Sequence, residues 1–185
     1  MNDASPAQLA AGALFLLYPF AIYLGLGSFD PRWLALLLIA IVGLRLAASR
    51  LKPPTAIPLA IAIAVATGYT LITGSQYGLL LYPVLVNGAL LLLFAASLLR
   101  PPSVIETLAR LREPDLPDAA LAYTRKVTLV WAVFFALNGA IALATLYLDR
   151  TWWALYNGLI AYLLMGLLFG AEWLVRRRVR SRLDA

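Results

Sequence analysis

The sequence contains no cysteine and no histidine. Without thiolates there is neither a disulfide nor a Cys nucleophile, and without imidazole the usual zinc, copper, haem and iron–sulfur ligand sets cannot be assembled. Ser–His and Cys–His nucleophilic machinery is excluded on the same ground. Carboxylates are scarce: Asp3, Asp30, Glu106, Glu113, Asp115, Asp118, Asp149, Glu172 and Asp184 are all there are. Only Glu172 falls inside a long apolar run, so no carboxylate pair forms at depth as a proton relay or a divalent-cation cage. The expectation is a chain with no metal, no cofactor, no catalytic residue and no enzymatic activity.

What remains is apolar. Hydrophobic residues make up 63% of the 185, and the mean hydropathy is +0.85. Six runs, at about 8–27, 32–48, 56–74, 77–99, 127–148 and 152–174, approach the roughly 20 residues a helix needs to cross about 30 Å of hydrocarbon. Lipid satisfies no backbone polar group, so spanning segments are helices or a closed barrel. Uninterrupted runs such as 89–94 lack the in/out alternation of barrel strands. The sequence therefore predicts an all-α polytopic membrane protein, one domain over 1–185, with six transmembrane helices. Residues 1–8 carry no basic side chain, so the first run is read as a retained span and not as a cleavable signal.

The formal charge of +6 is unevenly placed. Arg45 lies at the far edge of span 2, with Arg50 and Lys52 between spans 2 and 3; Arg100, Arg110, Arg112, Arg125 and Lys126 lie between spans 4 and 5; Arg176, Arg177, Arg178, Arg180 and Arg182 follow span 6. Only Arg32 and Arg150 occupy the opposite loops. Basic loops stay cytoplasmic, so both termini are expected in the cytoplasm. The same sorting argues against nucleic acid as a partner and for membrane lipids, with the 176–182 cluster against anionic headgroups.

Along the chain, Pro19 is expected to bend span 1, and Pro83 to bend span 4 while freeing the carbonyl of Leu79. Pro58 is expected near the first turn of span 3, where proline is tolerated. Small residues recur four apart at Ala60, Ala64 and Gly68, at Ala136, Ala140 and Ala144, and at Gly166 and Gly170. Such spacing lets helices approach closely; packing within the chain is the first reading, a homodimer the second. Between spans 4 and 5, Pro101-Pro102 stop a helix and Ser103-x-x-Glu106 forms a capping box. It opens a short amphipathic helix with Val104, Ile105, Leu108 and Leu111 on one side and a Glu106–Arg110 pair, expected to lie flat in the interface. Asp115-x-x-Asp118 starts a second helical stretch that runs into span 5. The loops Asp30-Pro31-Arg32-Trp33 and Asp149-Arg150-Thr151-Trp152 look alike, which reads as turn chemistry plus an aromatic belt before it reads as a duplication.

The polar signal within the spans is three asparagines, Asn87, Asn138 and Asn157. An amide in hydrocarbon needs a partner. Either the three make interhelical hydrogen bonds, or with Tyr82, Tyr156 and Tyr162 they line a polar pocket for a headgroup or polar substrate. Asn87 and Asn138 fall mid-span and Asn157 nearer the outer face, so one shared site is not required. Glu172, one turn before Arg176, reads as a helix-end ion pair.

Trp131-Ala132-Val133-Phe134-Phe135 followed by Asn138-Gly139 resembles the bacterial intracellular septation protein A family, as do the basic segment near Arg50 and Lys52 and the Trp152-Trp153 start of span 6. Tyr82-Pro83-Val84-Leu85-Val86-Asn87, Arg100-Pro101-Pro102-Ser103, Ala109-Arg110-Leu111, Glu113-Pro114-Asp115-Leu116-Pro117, Tyr123-Thr124-Arg125 and Tyr156-Asn157-Gly158 are similar to an uncharacterised family of bacterial inner-membrane proteins associated with aryl polyene and other fatty-acid-like synthase genes. The resemblance implies a bacterial inner-membrane location and a role in cell-envelope or lipid-like product assembly. Ketosynthase chemistry, a label sometimes attached to that family, is contradicted here by the missing Cys and His. Three functions follow as expectations. The first is a non-catalytic scaffold whose Arg110, Arg112, Arg125 and Lys126 meet headgroups or an acidic cytoplasmic protein such as an acyl carrier. The second is a lipid or small-molecule transporter or channel using the asparagines. The third, least supported by the residues present, is an enzyme working without His or Cys.

Overall fold

A computed structural model describes residues 21–25, 28–48, 53–111 and 113–183. Most of the first expected span, including Pro19, lies outside them, as do Arg50, Lys52 and Arg112. Among the described residues every regular element is helical. They are α1 (Pro31–Ala48), α2 (Pro53–Thr73), α3 (Tyr77–Leu99), the short α4 (Val104–Arg110), α5 (Asp118–Thr145), α6 (Arg150–Leu155), a π-helical turn (Tyr156–Ile160) and α7 (Ala161–Leu183). Three stretches are long and apolar enough to cross a membrane: Tyr77–Leu99, Ala120–Thr145 and Arg150–Arg178. Shorter apolar helices occupy Pro31–Gly43 and Ile57–Thr73. The chain is thus an all-helical, membrane-associated protein.

Local chemistry sets the boundaries. Gly74 has φ +69° and donates its N–H to the Thr70 carbonyl at 2.8 Å, a left-handed helix ending that only glycine adopts without strain. Thr73, Ser75 and Gln76 then turn the chain into α3, with Ser75 N–H on Thr73 Oγ1 at 3.1 Å and Tyr77 N–H on Ser75 Oγ at 3.3 Å. α2 begins at Pro53, five residues before Pro58, so Pro58 lies within the helix and not in its first turn. The paired prolines Pro53 and Pro54 take that first turn, where the missing N–H groups have no helical acceptor to lose. α5 starts behind the extended Pro117, with Asp118 favourable at the positive end of the helix. It continues unbroken to Thr145, merging the second helical stretch of the loop with span 5.

α3 is the central helix: α2 packs on one side of it and α5 on the other, α1 extends the row beyond α2, and α4 folds back against α5. Two apolar clusters result. At the end bearing the 74–76 turn, Leu38, Ile63, Ala66, Leu79, Tyr82 and Trp153 are buried together. At the α4 end, Phe94, Val127, Trp131, Ala132 and Phe135 form the second. Its rings meet in tilted and edge-on contacts, Phe94 with Phe135 at 5.1 Å between centroids and Trp131 with Phe169 of α7 at 4.4 Å, the geometries that ring quadrupoles favour.

Among the described residues, close helix approach does not use the predicted small residues. Ala60, Ala64, Ala136, Ala140, Ala144, Gly166 and Gly170 are exposed, and no described atom lies within 4 Å of a Cβ placed on Gly68, Gly166 or Gly170. The tight crossing is instead at Gly78, where a Cβ would run into the Ala66 carbonyl oxygen and Thr70 Oγ1, bringing α3 backbone-close to α2. A second is at Gly139, where a Cβ would sit 3.1 Å from that of Asn87. Four-residue spacing marks a face on which helices can approach; which such face is used depends on where the neighbouring helix is.

Candidate functional site

Between the two apolar clusters lies a layer of hydrogen-bonded polar side chains. Asn87 of α3 and Asn138 of α5 are both buried, and Asn138 Nδ2 donates to Asn87 Oδ1 at 3.0 Å. The Tyr156 hydroxyl donates to Asn138 Oδ1 at 2.8 Å, and Asn87 Nδ2 donates to the Pro83 carbonyl at 2.8 Å. Three helical segments are thereby tied by one chain of hydrogen bonds running from Tyr156 to the α3 backbone. Gly139 permits it, because the Asn87 side chain passes where a larger residue would project. In lipid, apolar side chains gain little by leaving the hydrocarbon for one another, so directional bonds of this kind and close packing set which helices meet.

Asn157 is separate. Its Nδ2 donates to Thr145 Oγ1 at 3.1 Å and to the Trp153 carbonyl at 2.9 Å, while Thr145 Oγ1 donates to the Ala142 carbonyl at 2.6 Å. This second knot fastens the end of α5 to the π-helical turn. The turn itself, in which the Ala161 N–H reaches back five residues to the Tyr156 carbonyl, is one residue wider than an α-turn. That lets Tyr156 and Asn157, adjacent in sequence, both be buried and serve different partners. One turn earlier, Trp153 Nε1 donates to the Leu80 carbonyl at 3.1 Å across 73 residues of sequence. The expected backbone acceptor beside Pro83 was the Leu79 carbonyl; the one that receives a side-chain donor here is its neighbour's.

The 74–76 turn gathers the two basic residues of its end of the molecule. The Arg32 guanidinium lies 3.4 Å from a Cβ position on Gly74, and Arg150 donates to Gln76 Oε1 at 2.7 Å. The two similar loops therefore do similar work, each bringing an arginine to the α2–α3 connection.

The opposite end carries α4. The capping box is formed in both directions, Glu106 N–H on Ser103 Oγ at 3.3 Å and Ser103 N–H on Glu106 Oε2 at 3.4 Å. The remaining amides of that first turn are also taken: Val104 N–H by Ser97 Oγ at 3.1 Å and Ile105 N–H by Thr128 Oγ1 at 3.4 Å. α4 is thus pinned to α3 and α5 by its first turn. Val104 and Ile105 pack against the aromatic cluster, whereas Leu108 and Leu111, 54% and 63% exposed, do not. Arg110 pairs with Glu106 at 3.0 Å and donates to the Pro114 carbonyl at 3.0 Å, closing the loop on itself. Nearby, Glu172 pairs with Arg176 at 2.7 Å and also receives the Tyr123 hydroxyl at 3.3 Å, which links α7 to α5.

No family model, no curated protein and no solved structure matches the chain.

Of the residues singled out for a polar pocket, Asn87 and Asn138 are joined directly and Asn157 stands apart with Thr145. Tyr82 is buried in the apolar cluster one turn before Asn87, and Tyr162 is half-buried on α7 beyond the π turn. Of the four candidate contact cations, Arg110 is engaged within its own loop, Arg112 lies outside the described residues, and Arg125 and Lys126 are exposed. Sequence reasoning passed over Ser97, Thr128, Thr145 and the Trp153 indole. Small hydroxyls in a helix usually bond their own backbone, so nothing local announces which of them will also accept from a neighbouring helix. Among the described residues no group of three or more acidic side chains could hold a metal ion.

Proposed function

We propose that the chain is a non-catalytic bacterial inner-membrane protein of six spans, with both termini cytoplasmic, that scaffolds cell-envelope or lipid-like product assembly. Its 100–126 segment offers Arg125 and Lys126 to an acidic cytoplasmic protein such as an acyl carrier. The observation that carries this reading is where the polar groups go. The buried asparagines and the buried Tyr156 and Trp153 are bonded to one another or to helix backbone, so the interior favours a structural framework. Arg125 and Lys126 are exposed at the end where α4 is firmly pinned. Such a pinned, basic surface presents charge without a large ordering cost on binding. The six-span orientation is supported by the charge asymmetry, with Arg32 and Arg150 gathered at one end and α4 and the 176–178 arginines at the other.

Pull-down of cytoplasmic proteins on wild-type and Arg125→Glu/Lys126→Glu protein tests the scaffold. Loss of an acidic protein from the variant is expected; equal recovery refutes docking on this surface. Arg110 is a poor choice for substitution because its removal would unpin the loop.

A transporter of lipids or small polar molecules is the second reading. The π turn beside a buried polar layer favours it, since such turns within helices recur at functional sites. Flux or lipid movement in proteoliposomes that is abolished in Asn87→Leu would establish it, and its absence in the wild type would remove it.

A further inference from the structure

α7 gives little of its surface to the interior: Leu167, Phe169 and Trp173 are 70%, 57% and 53% exposed. Three arginines follow one another at its basic end, and the structure separates their roles. Arg176 is ion-paired to Glu172 at 2.7 Å, and that carboxylate is also bonded by Tyr123. Arg177 has no carboxylate partner among the described residues; its guanidinium lies over the Trp173 indole, 4.7 Å from the ring centroid. Stacking of this kind holds the planar cation in one orientation while leaving its N–H edge for an acceptor. Positions 166, 170, 173 and 177 fall on one face of the helix, and nothing described lies within 4 Å of a Cβ on Gly166 or Gly170. Among the described residues the face is apolar, shallow and uncovered for two turns, and it ends in one ring-backed cation.

We propose that this face binds an anionic phospholipid, its phosphate held by Arg177 beside Trp173 and an acyl chain lying along the surface at Gly170 and Gly166. Charge complementarity selects this occupant. A tryptophan next to an arginine at the end of an apolar helix sits where headgroups meet hydrocarbon, and a forked guanidinium matches phosphate oxygens in pairs. A second copy of the chain fits less well, because a two-fold contact along this face would set Arg177 and Arg178 against their own counterparts. The inference rests on the membrane-spanning reading above but not on docking by Arg125 and Lys126.

The test is lipid retention, read by native mass spectrometry after purification from nanodiscs of equimolar phosphatidylglycerol and phosphatidylcholine. Wild-type protein is expected to retain phosphatidylglycerol preferentially. Arg177→Ala should lower that retention about fivefold, the factor that one basic side chain contributes at an anionic surface. Trp173→Ala should lower it as well, Arg177→Lys should fall between, and Arg100→Ala, which removes the same charge from the same end, should match wild type. Equal retention in Arg177→Ala and wild type, or equal retention of the two lipids by wild type, overturns the proposal. So does efficient disulfide formation between copies of a Gly170→Cys variant in lipid-rich nanodiscs, which would give the face to a second copy. The pull-down on Arg125 and Lys126 reads different residues, so either result can fail alone.

Discussion

Replacing Asn138 by leucine keeps the side chain's approximate volume and removes its polar atoms from the layer that joins α3, α5 and the π turn. Two hydrogen bonds disappear, the 3.0 Å bond to Asn87 and the 2.8 Å bond from Tyr156. Interhelical hydrogen bonds in membrane proteins average about 0.6 kcal/mol and reach about 1.7, so the pair contributes about 1–3 kcal/mol. The upper part of that range applies here, because the substitution strands a buried tyrosine hydroxyl and a buried amide oxygen where water does not replace the lost partner. Tyr156→Phe removes only one of the bonds and should cost about 0.6–1.7 kcal/mol. The double variant should then cost less than the sum, by a coupling of about 0.6 kcal/mol or more. Unfolding by sodium dodecyl sulfate in mixed micelles provides the assay, with the buried Trp131 and Trp153 as fluorescent reporters. Additivity of the two substitutions within about 0.3 kcal/mol would refute the reasoning, since it would mean that the bond from Tyr156 to Asn138 does not hold the helices together.

Three further outcomes follow from the same packing. Gly78→Ala should destabilise the protein by about 1–3 kcal/mol, the range for forcing a methyl group into a packed contact, while Gly166→Ala should be neutral or stabilising by up to about 1 kcal/mol; thermal denaturation in detergent compares them. Ser103→Ala breaks the capping box and should cost about 0.5–2 kcal/mol locally, seen as faster amide hydrogen exchange in residues 104–107 with little change in α3 or α5. Because the chain has no native cysteine, Ser75→Cys and Lys126→Cys give clean accessibility probes: a membrane-impermeant maleimide on intact spheroplasts should label the first and not the second. Labelling of both, or of neither, contradicts the proposed orientation.

Some structural detail was readable along the chain because it depends on neighbours in sequence. The Ser103–Glu106 box and the Glu106–Arg110 and Glu172–Arg176 pairs all close within about one helical turn. Their geometry follows from helix periodicity alone. The small-residue stripes show where that kind of inference ends. Ala60, Ala64 and Gly68 have the spacing of a contact face, yet among the described residues no helix meets them closely, and the crossing falls on Gly78, four residues after the glycine that ends α2. Likewise the asparagines announce themselves as needing partners, but not that Asn87 and Asn138 choose each other while Asn157 takes Thr145.

Composition and pattern by themselves determined the class: lipid offers backbone groups no partner outside a helix or a closed barrel, and long apolar runs without in/out alternation leave the helix. Tertiary structure alone decided the rest. It placed the π turn so that Tyr156 reaches Asn138 while Asn157 reaches Thr145, and set the Trp153 indole on the Leu80 carbonyl. Those contacts join residues more than three helical turns apart, and in a medium where apolar surfaces pack on lipid as readily as on protein, hydropathy carries no information about which ones meet.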